Sequence, residues 1–123
     1  MFLFSGWILG VSKPHPRAWG TYPRVLGKYV REEGVISLEN AIYKMTGMPA
    51  GKFGIAGRGL VKEGFFADLA LFDPETVIDG ASYEDPRVGP TGIPHVIVNG
   101  QFAVRDGEHE GSRSGRALRR AEA

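Results

Sequence analysis

The sequence predicts an α+β chain, helices first and strands after, on three observations. Apolar residues recur at helical spacing as far as Met45, and a glycine-rich stretch from Ala50 to Arg58 then breaks the pattern. Beyond it an apolar run meets Asn99-Gly100, the dipeptide best suited to a two-residue hairpin turn. At 123 residues the chain fits one modest domain with a core of its own.

Taken in order, the start, MFLFSGWILGV, is apolar but carries no basic leader and no small-residue cleavage site. Ser5, Gly6 and Gly10 interrupt it, and it falls short of the roughly 20 apolar residues that a membrane-spanning helix needs, so it reads as a strand or core segment. Lys13 to Arg17 follows as a stiff loop, because Pro14 and Pro16 fix φ and bias their predecessors away from helix. A first helix is expected with Thr21 as cap and Pro23 in its first turn. Val25, Leu26, Tyr29 and Val30 form its apolar stripe, Lys28 and Arg31 sit toward its C-terminal half, and Gly34 ends it. A second helix starts sharply: Ser37 caps, and Asn40 stands where a capping box would have Glu or Gln. Leu38, Ala41, Ile42 and Met45 make its stripe, Gly47 closes it, and Pro49 stops continuation.

Gly51, Gly54 and Gly57 then mark turns and the best internal boundary. Between turns at Gly59 and Gly64 and the stop at Pro74, residues Ala67 to Phe72 read as a strand apolar on both faces and hence covered on both sides. Glu75 to Pro94 is a long polar connection in which Pro86, Pro90 and Pro94 discourage regular structure. His95 to Val98 and Gln101 to Arg105 are the arms of the hairpin, ended by Asp106-Gly107. Arg113, Arg116, Arg119 and Arg120 make the last residues a basic, flexible tail.

Composition excludes several functions. Lys and Arg number 15 against 14 Asp and Glu, a net charge of +1, so nothing global attracts nucleic acid or an anionic membrane. The absence of cysteine rules out disulfides and thiolate zinc sites and is compatible with the cytoplasm, where the chain is expected. His15, His95 and His109 lie on separate elements with no short ligand spacing, so they are not expected to form a metal site. Asp68 and Asp73 are read as exposed turn caps at strand ends. There is no Gly-x-Ser-x-Gly elbow or Walker loop, and the glycines from Gly54 to Gly59 lack the strand and helix that a dinucleotide site requires.

Gly59 to Pro74, GLVKEGFFADLALFDP, resembles the G-x-I-x-x-G-x-x-A-D-L-V-V-F-D-P segment near the end of amidohydrolase-superfamily enzymes. HPRAWGTYPRVLGKYVRE, SLENAIYKMTGMPA and HVIVNG followed by DG are similar, in order, to the C-terminal third of N-acyl-D-amino-acid deacylases, the D-aminoacylase branch. The resemblance implies the last helices of a zinc-bearing (β/α)₈ barrel followed by the C-terminal strands of a small β-sandwich domain. Residues 1–58 would be the barrel remnant, 59–110 part of the β-domain and 111–123 the basic tail. It also implies hydrolysis of N-acyl-D-amino acids to a D-amino acid and a carboxylate, in which zinc activates water while a carboxylate moves the proton.

The family's zinc ligands lie on earlier barrel strands, and no zinc is expected on this chain itself. Its acid/base aspartate belongs to a Ser-Asp-Gly motif, at whose place this sequence has Ser5 before Gly6-Trp7. A serine cannot accept and return that proton as a carboxylate does. Arg17 carries over as the residue that clasps the substrate carboxylate, with His15 beside it as a second substrate-binding candidate. His15 alternatively satisfies a loop carbonyl. The expectation is therefore the inactive C-terminal portion of a hydrolase, cut by gene fragmentation, a mispredicted start or a partial read. The alternative is a non-catalytic module that self-associates or completes a barrel encoded by a partner chain.

Overall fold

The computed structural model describes residues 14–119, so the expectations placed on Ser5, Gly6, Trp7 and Arg120 lie outside the described residues. Helix α1 spans Arg17–Arg24 and passes directly into a π-helix, Val25–Glu32. Helices α2 (Leu38–Met45) and α3 (Gly47–Phe53) follow. The strands β1 (Leu69–Leu71), β2 (His95–Val98), β3 (Gln101–Arg105) and β4 (Glu108–His109) form one antiparallel sheet in that spatial order. No helix among the described residues is long and apolar enough to cross a membrane.

The first helix begins earlier than expected. Pro16, not Thr21, is its N-cap, and Thr21 instead donates its hydroxyl proton to the Arg17 carbonyl at 2.7 Å, one turn back. Pro23 is therefore interior, where it has no N–H for the carbonyl of Trp19. The winding widens to the π form from Val25 onward, one of the ways a helix absorbs a broken ladder. Its end is as expected: Gly34 takes φ 61°, and the Val35 N–H reaches back to the Tyr29 carbonyl at 3.0 Å.

Ser37 caps α2 by accepting the Asn40 N–H at 3.3 Å. That helix stops at Met45, but Pro49 does not keep the chain from turning helical again. It sits in the first turn of α3, where a missing N–H costs nothing, and Gly54 at φ 65° closes that helix.

The connection from 73 to 94 is irregular yet packed, and it supplies part of the core. Val77 is fully buried, and Ala81 and Pro86 are buried with it. The connection doubles back through the Ile78–Thr91 bridge and the Asp73 N–H to Gly92 carbonyl bond of 2.9 Å, like a compact surface loop closed on itself. Asp73 does cap a turn, accepting from the Glu75 N–H and the Thr76 hydroxyl, each at 2.9 Å.

This loop runs antiparallel along the first helical segment. Arg31 donates to the carbonyls of Pro74 (3.0 Å) and Val77 (2.7 Å), and Arg24 pairs with the buried Asp79 carboxylate at 2.9 Å. Gly27, between the arginines, and Gly20, one turn before Arg24, let the loop close in. A Cβ on Gly27 would lie 2.5 Å from the Val77 carbonyl oxygen, and one on Gly20 would lie 2.8 Å from the Asp79 Cβ. Asp79 raises the Arg24 pKa above its ordinary value through a hydrogen bond and its charge. A cation so stabilised contributes throughout the neutral range, and the contribution is lost as the pH rises into strong alkali.

Asn99 and Gly100 both have positive φ, 49° and 79°, as a type I′ turn requires. Val96 faces Val104 and Ile97 faces Phe102, so Ala103 is the extra residue of a β-bulge. Asp106-Gly107 does not end the sheet. It is a second turn with positive φ at both residues (51° and 83°), and it feeds the short strand β4 that sequence reading left out. β1 is shorter than expected and lies at the sheet edge, paired only with β2. The predicted cover on both of its faces is not found among the described residues, where Leu71 is 45% exposed.

Two glycine substitutions separate close approach from helix propensity. Gly27→Ala drives a methyl group into backbone that cannot swing aside and is expected to lower the unfolding free energy by about 1–3 kcal/mol. Gly51→Ala, with nothing within 4 Å of the added carbon, is expected to stabilise by about 0.5–1 kcal/mol. Urea denaturation of both variants checks the opposite signs.

Candidate functional site

Two polar constellations stand out, one at the start of α1 and one at the tip of the hairpin. At the first, Pro14 and Pro16 deliver the chain into the helix, and the Arg17 N–H, a donor with no partner inside the helix, is taken by His15 Nδ1 at 3.0 Å. His15 thus does the work of a capping side chain. It binds the first helical N–H rather than a loop carbonyl. Across the ring, Nε2 lies 3.1 Å from the Tyr83 hydroxyl, and the two rings meet edge to face with centroids 5.2 Å apart. The Arg17 side chain is exposed and makes no hydrogen bond or ion pair with the other described residues. The structure therefore brings both predicted substrate-binding residues to one helix start, one engaged in holding the backbone and the other directed to solvent.

At the second constellation the central residue is Arg58, whose side chain is 8% exposed. It pairs with Asp68, donates to Asn99 Oδ1 and lies over the Phe66 ring at 4.2 Å. Asp68 is accordingly no free surface cap. Its Oδ1 accepts the Asn99 N–H at 2.8 Å, pinning the hairpin turn, while Oδ2 neutralises Arg58. Asn99 Nδ2 donates to the Ser114 carbonyl at 2.6 Å, and Arg116 lies over Phe66 at 4.5 Å, so the segment from Ser114 to Arg116, expected as flexible tail, is seated on the body. These groups satisfy one another and form a structural clasp.

Sequence reading missed Arg58 and Tyr83. The one local hint for Arg58 was an arginine set among glycines and apolar residues, a place where a cation must find a counter-charge. Nothing local marks Tyr83, because its partner is 68 positions away.

The three histidines stay apart, each accepting a backbone N–H at Nδ1: His15 from Arg17 at 3.0 Å, His95 from Asp106 at 3.2 Å, His109 from Gly111 at 2.8 Å. Among the described residues no three His, Cys, Asp or Glu side chains gather so as to hold a metal ion. The donor set among the described residues does not fit a zinc site.

Residues 5–104 match the model of the amidohydrolase family. The chain belongs to that family. It is 50% identical over 112 residues to D-aminoacylase of Alcaligenes xylosoxydans xylosoxydans, covering 91% of this chain and 23% of that protein. The crystal structure of D-aminoacylase superposes with a TM-score of 0.85 at 51% identity over 87% of this chain and 23% of that one. N-acyl-D-glutamate deacylase from Bordetella bronchiseptica, solved with zinc and a phosphonate mimic of the tetrahedral intermediate, gives 0.73 at 45% identity, over 78% and 21% of the two chains. The amidohydrolase chain described here therefore spans less than a quarter of the length of these relatives.

The clasp makes a stability test. Asp68→Asn leaves the almost buried Arg58 without a counter-charge. The expected loss is about 2–3 kcal/mol, below the value for a fully buried pair because Asp68 is a third exposed. Lys28→Met breaks the exposed 3.5 Å pair with Glu33 and is expected to change stability by no more than about 0.5 kcal/mol. Denaturation midpoints of the two variants measured side by side check the ranking.

Proposed function

We propose that this chain furnishes the C-terminal quarter of a zinc-dependent hydrolase that converts N-acyl-D-amino acids to a D-amino acid and a carboxylate. In this reading residues 1–58 belong to the closing part of a (β/α)₈ barrel, 59–110 to a small β-sandwich domain, and 111–123 to a basic tail. Arg17 grips the substrate carboxylate, and its guanidinium fork can make two parallel hydrogen bonds to it. The observation that carries the reading is the exposed Arg17 side chain at the head of α1, without a hydrogen bond or ion pair among the described residues, in a chain that superposes on D-aminoacylase at 0.85. Zinc and the acid/base carboxylate come from outside the described residues, and Ser5 cannot serve as that base.

Exposed apolar side chains favour assembly with further protein. Tyr22, Phe53 and Val61 are 62%, 66% and 91% exposed, and β1 presents an open edge at Leu71. The same surface supports a second reading, a non-catalytic module that completes a barrel carried by a partner chain.

The test is a hybrid in which this chain, with Ser5→Asp, replaces the matching quarter of D-aminoacylase. Zinc-dependent deacylation is expected from the hybrid and none from the 123-residue chain with added zinc. Arg17→Ala in the hybrid is expected to raise KM for an N-acyl-D-amino acid by about 10–100-fold with kcat little changed, as loss of a charged binding contact should. An unchanged KM rules out the role given to Arg17. For the second reading, the chain is mixed with the separately expressed remainder of D-aminoacylase. Co-elution on size exclusion supports it, and a clean monomer overturns it.

A further inference from the structure

We propose that Tyr83 is a positioning residue for the carboxylate-binding arginine, acting through the His15 imidazole; the proposal rests on the reading of Arg17 given above. The proton count on the ring carries the argument. The Arg17 N–H donates to His15 Nδ1 at 3.0 Å, so Nδ1 holds no proton and the neutral ring carries its hydrogen on Nε2. That N–H faces the Tyr83 oxygen at 3.1 Å, which accepts it. By accepting that proton the hydroxyl stabilises the neutral tautomer that leaves Nδ1 free to hold the first amide of α1, from which the Arg17 side chain departs.

Tyr83 is itself held in place. The Ser82 N–H donates to the Asp85 carbonyl, and the Asp85 N–H donates to the Ser82 hydroxyl, both at 3.0 Å, with buried Pro86 next in the chain. Tyr83 is also the last of a series of contacts that the 73–94 connection makes along the helix: Pro74 and Val77 with Arg31, Asp79 with Arg24, and Tyr83 with His15. The connection thus spans from the far end of the helical segment to the His15 loop that leads into Arg17.

In the hybrid enzyme, Tyr83→Phe keeps the ring contact and removes the acceptor. KM is expected to rise about threefold to tenfold, the range for one lost neutral hydrogen bond, with kcat and the unfolding midpoint little changed. The double variant Arg17→Ala, Tyr83→Phe is expected to be no worse than Arg17→Ala, because both act on one contact. Side-chain nitrogen NMR of His15 is expected to show the Nε2–H tautomer in the parent and a mixture in Tyr83→Phe. A parent ring protonated on Nδ1 overturns the proposal and leaves the Arg17 reading standing. So does an unchanged KM in Tyr83→Phe alongside a raised KM in Arg17→Ala. If neither substitution moves KM, the Arg17 reading fails and the proposal fails with it.

Discussion

The fold depends on how closely one irregular loop can lie against one helical segment. Two glycines, Gly20 and Gly27, remove the side chains that would hold the 73–94 connection away, and two arginines, Arg24 and Arg31, reach past them to bind it. Glycine alone would permit the approach but give it no preferred register. Arginine alone would bind carbonyls at arm's length and leave Val77 wet. Together they seat Val77, the most deeply buried side chain among the described residues, and the hydrophobic gain of burying a valine, about 1.5 kcal/mol or more, becomes available only at that distance.

The hairpin end is organised differently. Arg58 is nearly buried, which would be costly for an isolated cation, and it is tolerated because a carboxylate, an amide oxygen and an aromatic face surround it. The same carboxylate fixes the turn amide of Asn99, so the charge pair and the hairpin turn share one group. The clasp joins the glycine-rich segment, β1, the hairpin and the residues around Ser114, which are far apart in sequence. Its members are committed to one another.

Local rules made much of this legible before the structure. Ser37, Gly34 and Asn99-Gly100 each act within a few residues of themselves, and each does what its chemistry implies. Family resemblance brought His15 and Arg17 to attention, and the structure places them side by side. The errors fall where two local signals compete or where the partner is distant. Pro23 and Pro49 both carry the local signal of a helix limit, yet one is accommodated by π winding and the other lies in the first turn of a new helix. Asp106-Gly107 has the chemistry of a stop, and the same chemistry makes a second hairpin turn. Glu75 to Pro94 looked like a mere linker because its polarity is local, whereas its use, burying Val77 against Gly27, is a long-range fact. Arg58 and Tyr83 escaped notice for that reason.

The two adjacent type I′ turns divide the sheet by the range of its contacts. β2, β3 and β4 are joined by turns of two residues each, so their pairing closes only short loops and belongs to the microsecond class of events. β1 must wait for a partner that arrives after the whole of 72–94, and closing that length costs chain entropy before any strand contact offsets it. Seating the connection on Gly20 and Gly27 shortens the effective loop by fixing its middle. The helical face therefore acts as the template on which the sheet acquires its first strand, and a defect in helix packing would surface as slow or missing closure at the opposite edge of the sheet.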